Sequence, residues 1–249
     1  LCREAWATNH IGDNLTLDLF GEQDELVKAI LAVDKPIVVY LMNGRPLSIN
    51  HIKAHVPAII EGWYMGQETG IAAADIIFGD VNPSGKLAIT VPKSAGQLPL
   101  YYNHKPSAQF HDYLSLDKQP LYHFGYGLSY TSFSFGKPGL EKESIKANGS
   151  TKVSVDVTNT GKTTGDEVVQ MYIRDKISSV TRPVKELKGF KRIRLNPGEA
   201  KKVELDIGPE HLAFYDINMN YVVEPGEFDI MVGNSSRDED LQTVRLKVT

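Results

Sequence analysis

The residues with the densest potential for chemistry lie in the first fourteen positions of the chain. This stretch places an acid, an aromatic ring, an imidazole and an amide close together, at Glu4, Trp6, His10 and Asn14. Chain ends normally fray unless other segments hold them, so a functional carboxylate three residues from the start would be unusual in a complete protein. We therefore expect that Leu1 is not a natural start.

Other residue types that carry chemistry form weaker patterns. His51 and His55 have the i, i+4 spacing of a zinc pair, but no Glu follows His51 and no third ligand lies nearby in sequence. We therefore predict no metal site. The single cysteine, Cys2, has no histidine in a matching motif and is expected to pack rather than to react.

Carboxylates are the remaining candidates for catalysis. Four of them lie in or beside predicted loops and strand ends, at Glu4, Asp13, Glu61 and Glu68. Taken singly, each fits a solvated or helix-capping acid better than a catalyst, and Glu68 also fits the start of the helix that follows it.

Composition excludes several classes of protein. The chain has 249 residues, of which 41% are apolar and 23% charged, as in an ordinary soluble globular protein with one large or two medium domains. The net charge is −4 and no basic face is evident, which argues against a nucleic-acid partner. The absence of any run of 18 apolar residues argues against a membrane span.

The first half of the chain alternates between helical and strand patterns. An apolar stripe of i, i+3, i+4, i+7 spacing predicts a helix, and continuous β-branched runs predict strands of a parallel sheet that are buried on both faces. The predicted elements are a helix over 22–33, a strand over 37–42, a helix over 46–55, a strand over 58–64, a helix over 69–78 and a strand over 86–91. We expect Thr69 to cap the third helix and Gly79 to end it.

This alternation indicates an α/β architecture with a mainly parallel sheet and helices on both faces. Functional sites in such sheets gather outside the carboxyl ends of the strands. In this chain Asn43-Gly44 and the segment 66–68 fall at those ends. We place this domain at residues 1–93.

Residues 94–135 form a segment rich in aromatic side chains. Its periodicity is lost, while several tyrosines and histidines gather, among them Tyr101, Tyr102 and His104. A long irregular loop of this kind is either part of a functional site or a strap packed across two domains. The sequence does not decide between the two.

The second half of the chain, residues 136–249, changes to short alternating strands. Apolar residues repeat with period two, and turn residues recur between these strands. This pattern predicts a single β-sandwich of seven strands, and no catalytic constellation is evident in it. The predicted strands contain Val153, Val155, Val157, then Val203, Leu205, Ile207, then Phe228, Ile230, Val232, and finally Val244, Leu246, Val248.

Three motifs follow one another along the chain: Gly66-Gln67-Glu68-Thr69-Gly70, Gly79-Asp80-Val81-Asn82-Pro83-Ser84-Gly85-Lys86-Leu87 and Phe124-Gly125-Tyr126-Gly127-Leu128-Ser129-Tyr130-Thr131. Together they closely resemble motifs of glycoside hydrolase family 3, the β-glucosidase family. The second half of the chain resembles the fibronectin type III-like domain of that family, including the turn at 159–161 and the segment 186–190.

The resemblance implies that part of the active site lies outside this chain. Members of the family have a (β/α)8-type barrel, an α/β sandwich and, in many cases, the fibronectin-like domain. This sequence resembles only the end of the sandwich domain and the last domain. The barrel supplies the nucleophilic Asp in the family, and this chain has no counterpart of it.

The resemblance also assigns roles to individual residues. The acid/base of the family is a Glu early in this part of the sandwich, followed shortly by Gly-Asp, and here Glu4 is followed by Gly12-Asp13. Arg3 stands where Gly is usual. Trp6, His10 and Tyr102 are the candidates for substrate binding, with core packing as the alternative for Trp6.

Two classes of function follow. The first is the C-terminal part of a retaining, exo-acting β-glucosidase that works with a second or cleaved-off chain carrying the barrel. The second is a non-catalytic carbohydrate-binding or scaffold module. For the enzyme we expect a glycoside or oligosaccharide substrate, no cofactor, no nucleic-acid or membrane partner, and a periplasmic or secreted location.

Overall fold

The computed structural model describes residues 15–106 and 117–249, and these fall into two compact units. Within the described ranges, the first unit takes residues 15–81, 89–100 and 117–122. The second unit takes residues 82–88, 101–106 and 123–249. The chain therefore passes between the two units several times. Glu4, Trp6 and His10 lie outside the described residues.

The first unit contains the predicted alternation of helices and strands. The order helix, strand, helix, strand, helix is confirmed, although most elements are shorter than predicted because turns replace their ends. The elements are α1 Gln23–Leu31, β1 Val38–Leu41, α2 Asn50–His55, β2 Ala58–Glu61 and α3 Thr69–Phe78.

β1 and β2 pair in parallel, from Val38 opposite Ala58 to Leu41 opposite Glu61. Val39 and Leu41 are buried, but Val38 is 47% exposed. The prediction that this strand is buried on both faces is therefore wrong for the described chain. Its outer side lacks a covering element among the described residues of the unit.

The helices show the same one-sided burial. Val27 of α1 is buried, whereas three residues of the predicted apolar stripe, Leu26, Ile30 and Val33, are 50%, 42% and 64% exposed. The helical periodicity was therefore predicted correctly, but the stripe does not face a core in the described chain. α3 likewise exposes Ile71 and Phe78.

The ends of α3 confirm one predicted signal and correct another. Gly79 ends the helix with a left-handed φ of 84°, a conformation that costs glycine little. Thr69 is not the cap, because the capping position is Glu68 and no side chain caps the helix. The Thr69 hydroxyl instead donates a hydrogen bond of 2.6 Å to the carbonyl of Gly66.

The predicted strand over 86–91 is not formed, because this segment is irregular and bends at residues 88 and 89. In the second unit, Leu87 exchanges backbone hydrogen bonds with Gly125 and Tyr126. In the first unit, Val91 forms an isolated antiparallel bridge with Tyr122. The chain changes units between residues 88 and 89, so the segment does not join a continuous sheet.

Most of the second unit is a β-sandwich, as the alternating pattern predicts. The elements are β3 Phe133–Phe135, β4 Gly139–Leu140, β5 Ser144–Ile145, β6 Thr151–Asn159, β7 Gly165–Asp175, β8 Glu186–Leu195, β9 Ala200–Ile207, α4 Pro209–Leu212, β10 Phe214–Tyr215, β11 Tyr221–Val222, β12 Gly226–Gly233 and β13 Leu241–Val248. One sheet has five strands in the order β5-β13-β12-β7-β8, and the other joins β3, β4 and β9 to β6. These nine strands exceed the predicted seven because three of them are only two or three residues long.

The core lies between the two sheets and is built from the alternating residues. Val155 of β6, Ile230 of β12 and Leu246 of β13 are each at most 3% exposed and belong to one apolar cluster. Burying a side chain of this size contributes roughly 1.5–3 kcal/mol, so the period-two pattern accounts for the stability of the sandwich.

β7 is the strand that simple alternation does not predict, because both of its faces are buried. Val169 and Met171 face the apolar core, while Gln170 and Tyr172 are also almost fully buried. The second pair contacts residues outside the sandwich strands: Gln170 hydrogen-bonds to Gly125 of the family-like motif at 124–131, and Tyr172 packs against Tyr102. Within the described ranges, no helix is both long and apolar enough to cross a membrane.

Candidate functional site

The carboxyl ends of β1 and β2 bring together an amide and a carboxylate. Asn43 lies just after β1, and Glu61 is the last residue of β2. Because the two strands are parallel neighbours, both residues lie at the same edge of the sheet. The Asn43 amide nitrogen donates a hydrogen bond of 2.7 Å to the carbonyl of Arg45 and lies 3.4 Å from Glu61 Oε2. Asn43 is fully buried, and its Oδ1 is without a partner among the described residues.

Burial changes the protonation behaviour of Glu61. Removal from water disfavours the charged carboxylate and raises its pKa, while hydrogen bonds from the Trp63 backbone N–H and the Asn43 amide oppose that rise. The Trp63 bond is 3.3 Å long. The pKa of the nearby Tyr40 hydroxyl is raised by burial and by the negative charge of Glu61. Glu61 is therefore a partly buried acid whose carboxylate accepts a hydrogen bond from the turn after β2.

Close packing fixes the loops around this pair. A Cβ on Gly62 would lie 2.3 Å from the Tyr40 hydroxyl oxygen, and a Cβ on Gly44 would lie 2.4 Å from the ring of Tyr64. Trp63 has a φ of 50°, which is strained for a residue with a large side chain. Strained residues of this kind concentrate at functional sites, and these loops lie at the predicted edge of the sheet.

Glu68, the other predicted acid at this edge, is exposed at the start of α3. Its side chain makes no capping hydrogen bond, and the turn before the helix is held by Thr69 and by Gly66, which has a φ of 76°. In the described residues, no group of three or more His, Cys, Asp or Glu side chains is arranged to hold a metal ion.

Tyr102 lies in the second unit, where it packs on the outer face of β7. Its ring stacks on Phe124 with centroids 4.2 Å apart and meets the edge of Tyr172 at 5.8 Å. Its hydroxyl accepts a hydrogen bond of 3.3 Å from the backbone N–H of Leu187, and burial raises its pKa. Tyr102 thus has a structural role, and its predicted contact with substrate stays a prediction.

The motif at 79–87 holds the second unit together. Asn82 Oδ1 accepts hydrogen bonds from the Ser129 hydroxyl and the Tyr130 N–H, and its amide donates to the carbonyl of Thr164. Lys86 forms a buried ion pair of 2.8 Å with Glu167 of β7 and donates to the carbonyl of Gly127. Both motif residues therefore join separate segments of the unit.

The motif at 124–131 also contacts β7. The Gln170 amide donates to the carbonyls of Gly125 and Asn234, and the Tyr172 hydroxyl donates to Gln170 Oε1. Gly125 has a φ of 77°, and a Cβ there would lie 2.2 Å from the Gln170 side chain. Only glycine fits this position without a shift.

Sequence reasoning missed Glu167 and Gln170 as partners of these motifs. The signal was present, since a carboxylate and an amide within an apolar run of a strand require buried partners. Their partners lie 45 and 81 residues away in sequence, at Gly125 and Lys86. Spacing alone does not reveal such distant partners.

The fold and these motifs define a protein with an α/β unit followed by a fibronectin-like sandwich, and comparison with known proteins agrees. Residues 2–130 match the Glycosyl hydrolase family 3 C-terminal domain, and residues 167–236 match the Fibronectin type III-like domain. The chain belongs to glycoside hydrolase family 3. This confirms the resemblance seen in the three motifs and the predicted order of the two domains.

Similar proteins include both β-xylosidases and β-glucosidases. A β-xylosidase of Formosa agariphila is 53% identical over 95% of this chain and 33% of its own length. A periplasmic β-glucosidase of Salmonella typhimurium is 45% identical over 86% of this chain and 29% of its own length. The solved structure of a β-glucosidase from Erythrobacter marinus superposes with a TM-score of 0.93 at 47% identity, covering 99% of this chain and 33% of that one. The chain thus spans about a third of the length of these relatives.

Proposed function

We propose that this chain is part of a retaining, exo-acting β-glucosidase that hydrolyses terminal β-D-glucosyl residues. The observation that carries the proposal is membership of glycoside hydrolase family 3, together with relatives named β-glucosidase over nearly the whole chain. A scaffold or carbohydrate-binding module is the competing class of function, and the activity measurements below distinguish the two.

In the proposed mechanism, Glu4 is the general acid and base. Retaining glycosidases use two carboxyl groups about 5–5.5 Å apart, one as nucleophile and one as the acid that protonates the leaving oxygen. After the glycosyl-enzyme forms, the second group accepts a proton from the attacking water. Glu4 fills this second role, while the nucleophilic Asp belongs to the barrel. Trp6, His10 and Tyr102 are the proposed contacts to the substrate.

The exposed apolar surface of the first unit supports the proposal that more polypeptide packs against this chain. Val38 of β1, Ile30 of α1 and Phe78 of α3 are between 42% and 82% exposed, which is unusual for residues in apolar runs of helices and strands. The relatives are about three times as long as the chain. We propose that the barrel and the rest of the sandwich domain lie on a partner or cleaved-off chain and cover these faces. Mass spectrometry of the intact purified protein measures whether such a chain is present.

A β-xylosidase is the second candidate, because the relative with 53% identity carries that name. Xylosides lack the hydroxymethyl group of glucosides, so the two activities differ in one region of the sugar. Comparison of kcat/KM for the aryl β-glucoside and the aryl β-xyloside distinguishes them. A higher value for the xyloside would replace the proposed substrate and leave the roles of the carboxylates in place.

The test of Glu4 uses the assembled enzyme and the substitution Glu4→Gln. We expect the turnover of an unactivated β-glucoside to fall by about 10² to 10⁴, the usual contribution of general acid catalysis. An aryl glucoside with a good leaving group needs less protonation and should lose less in its first step. Glu141→Gln, at an exposed acid of the second unit, is the matched control and should keep full activity.

Two outcomes would contradict this assignment. An equal loss on both substrates would show that Glu4 is not the acid. Hydrolysis by this chain in the absence of any barrel polypeptide would show that the nucleophile is not located elsewhere. If neither glucoside nor xyloside is hydrolysed by the assembled protein but oligosaccharides still bind, the module class is the correct one.

Tyr102→Phe tests the proposed substrate contact separately from packing. The substitution keeps the ring that stacks on Phe124 and removes the hydroxyl that accepts from Leu187. If Tyr102 contacts the leaving group, the effect of the substitution on KM should differ between substrates with different leaving groups. A uniform effect on all substrates would assign the residue to packing alone.

We also propose a periplasmic or secreted location. The support is the relative described as a periplasmic β-glucosidase. Fractionation of the native cells, with activity measured in each fraction, tests the location, and activity confined to the cytoplasm would contradict it.

A further inference from the structure

We propose that Asn148, in the turn between β5 and β6, is a site of spontaneous chemical modification at which the side-chain amide is converted to a carboxylate. The sequence contains two Asn-Gly pairs, Asn43-Gly44 and Asn148-Gly149. Asparagine is a thermolabile residue, and a following glycine favours its reaction because no Cβ shields the backbone nitrogen. The two pairs have opposite environments in the structure, so the fold selects which of them reacts.

The reaction needs only the chain itself, water and hydroxide. Hydroxide removes the proton from the backbone nitrogen of Gly149, and that nitrogen attacks Cγ of Asn148. The new N–Cγ bond closes a cyclic imide while the Cγ–Nδ2 bond breaks, and the amide group leaves as ammonia with a proton from water, which regenerates the hydroxide. Water then adds to either carbonyl of the ring. One opening gives aspartate, and the other gives isoaspartate, in which the main chain runs through Cγ.

Asn148 is accessible at the tip of a short turn. Its side chain is exposed, whereas the preceding residue, Ala147, is partly buried and packs against the core of the sandwich. Ile145 before the turn and Thr151 after it are both buried. The turn is therefore anchored at both ends, while the side chain that reacts lies in water.

One hydrogen bond opposes the reaction at this turn. The Gly149 N–H donates a bond of 2.8 Å to the carbonyl of Lys146, and this bond must break before the nitrogen can attack. Exposed turns open locally at a small cost in free energy, whereas buried segments open only when much of the fold does. Asn148 should therefore react in the native chain, although more slowly than in the unfolded chain.

The other Asn-Gly pair is protected by packing. Asn43 is fully buried, and its amide nitrogen donates a hydrogen bond of 2.7 Å to the carbonyl of Arg45. Gly44 lies against the ring of Tyr64, which would be only 2.4 Å from a Cβ at that position. Closing the imide requires the Asn43 side chain to leave its partner and the backbone to move in a filled space. We therefore expect Asn43 to react only after this segment unfolds.

The selection has opposite consequences at the two positions. The Asn43 amide nitrogen lies 3.4 Å from Glu61 Oε2, so a carboxylate at residue 43 would bring two like charges together in a buried place. At residue 148 the new charge stays in water, next to a turn that also exposes Lys146. Modification of Asn148 is therefore compatible with a folded chain.

The test compares the natural 249-residue chain in native buffer with the same chain in guanidinium chloride, both at mildly alkaline pH. Peptide mapping by mass spectrometry measures the loss of each amide with time, and electron-transfer fragmentation distinguishes isoaspartate from aspartate. In the native chain the loss at Asn43 should be slower than that at Asn148 by about tenfold or more, because a buried segment reacts only when it opens. In guanidinium chloride the two pairs should react at similar rates. Lowering the pH to neutral should slow both reactions, because less hydroxide is present.

Two variants test the role of the glycine. Gly149→Ala places a Cβ beside the attacking nitrogen and should slow the loss of the Asn148 amide severalfold. Gly139→Ala is the matched control, because nothing lies within 4 Å of a Cβ there, and it should leave the rate at Asn148 unchanged. The comparison in the natural chain needs no variant, so it does not depend on whether Gly149→Ala folds. Equal native rates at the two pairs, or no reaction at Asn148 in a native chain whose unfolded form reacts, would overturn the proposal.

Discussion

At the scale of the residue, the buried pair of Lys86 and Glu167 is expected to have a large effect on stability. Their side chains are only 12% and 5% exposed, and Glu167 also accepts hydrogen bonds from the Val168 N–H and the Asn234 amide. Two opposite charges can be removed from water without a large loss of stability when their mutual attraction offsets the cost of desolvation. The loss of one leaves its partner buried and uncompensated.

We therefore expect Glu167→Gln to lower the free energy of unfolding by about 3–5 kcal/mol, the usual loss when one partner of a buried ion pair is removed. Urea denaturation followed by circular dichroism measures the change. The double variant Glu167→Gln with Lys86→Met should recover part of the loss, because it removes both charges. A double variant no more stable than the single one would show that the pair is not the source of the effect.

A second residue-scale prediction concerns pH. Burial raises the pKa of Glu61 above its ordinary value of 4.5. At pH values between the ordinary pKa of the unfolded chain and the raised pKa of the folded chain, Glu61 binds its proton more tightly in the folded chain. Stability from this group should therefore fall as the pH rises from about 4.5 through the raised pKa, and should not change below that window.

Glu61→Gln removes this ionisation and should flatten the pH dependence of stability. The free energy of unfolding of the variant minus that of the natural chain should be larger at neutral pH than at pH values near the ordinary pKa of a carboxyl. Denaturation curves across that range measure the difference, with the exposed Glu141→Gln as control. A stability difference that does not vary with pH would contradict the assigned burial of Glu61.

At the scale of the element, glycines separate positions where space is fixed from positions where it is open. Gly62 follows β2, and a Cβ there would lie 2.3 Å from the Tyr40 hydroxyl and 3.1 Å from the Leu41 carbonyl oxygen. Gly70 lies in the first turn of α3 with nothing within 4 Å of such an atom. The two positions form a matched pair for the same substitution.

Gly62→Ala should destabilise the chain by about 1–3 kcal/mol, as overpacking usually does, because the backbone oxygen cannot move aside. Gly70→Ala should stabilise it by about 0.5–1 kcal/mol through higher helix propensity. Thermal unfolding of both variants measures the two shifts. Equal effects at the two positions would mean that the turn after β2 relaxes to accept the extra carbon.

Elements are also the scale at which sequence prediction succeeded best. Alternation in β6, β12 and β13 follows directly from having one face in the core, so those strands were predictable. β7 was not, because Gln170 and Tyr172 are buried on its second face and the period-two signal is lost. The apolar stripe of α1 predicted a helix correctly, but sequence cannot show whether a partner covers the stripe.

The candidate site was predictable only in part. The parallel order of the strands is enough to place Asn43 at the edge of the sheet where sites gather, beyond the carboxyl ends of the strands. The unpartnered amide oxygen of Asn43, the strained backbone of Trp63 and the raised pKa of Glu61 all depend on packing between distant segments. No local pattern encodes those properties.

At the scale of the whole molecule, the second unit depends on segments that precede the sandwich in sequence. Residues 82–88 and 101–106 belong to it: Lys86 forms an ion pair with Glu167 of β7, and Tyr102 packs against Tyr172 on the outer face of that strand. A polypeptide of residues 132–249 would keep all sandwich strands and would expose Gln170 and Tyr172 to water.

We expect this shortened polypeptide to unfold at a lower urea concentration than the second unit does within the 249-residue chain. The amides of β7 should also exchange with solvent faster, because Glu167 loses its buried cation. Hydrogen exchange followed by mass spectrometry measures the protection of β7 in the shortened polypeptide and in the 249-residue chain. Equal protection of β7 in the two would show that the outer segments add nothing to its stability.

The interleaving of the two units along the sequence has a consequence for protein engineering. A fibronectin-like domain that begins at one sequence boundary could be transplanted between enzymes as a cassette. Here the residues that complete it, at 82–88 and 101–106, alternate in sequence with segments of the other unit. A chimera joined near residue 135 would therefore combine residues 82–88 and 101–106 of one parent with β7 of the other. Lys86 must then be exchanged together with Glu167, and Gly125 together with Gln170, for such a graft to fit.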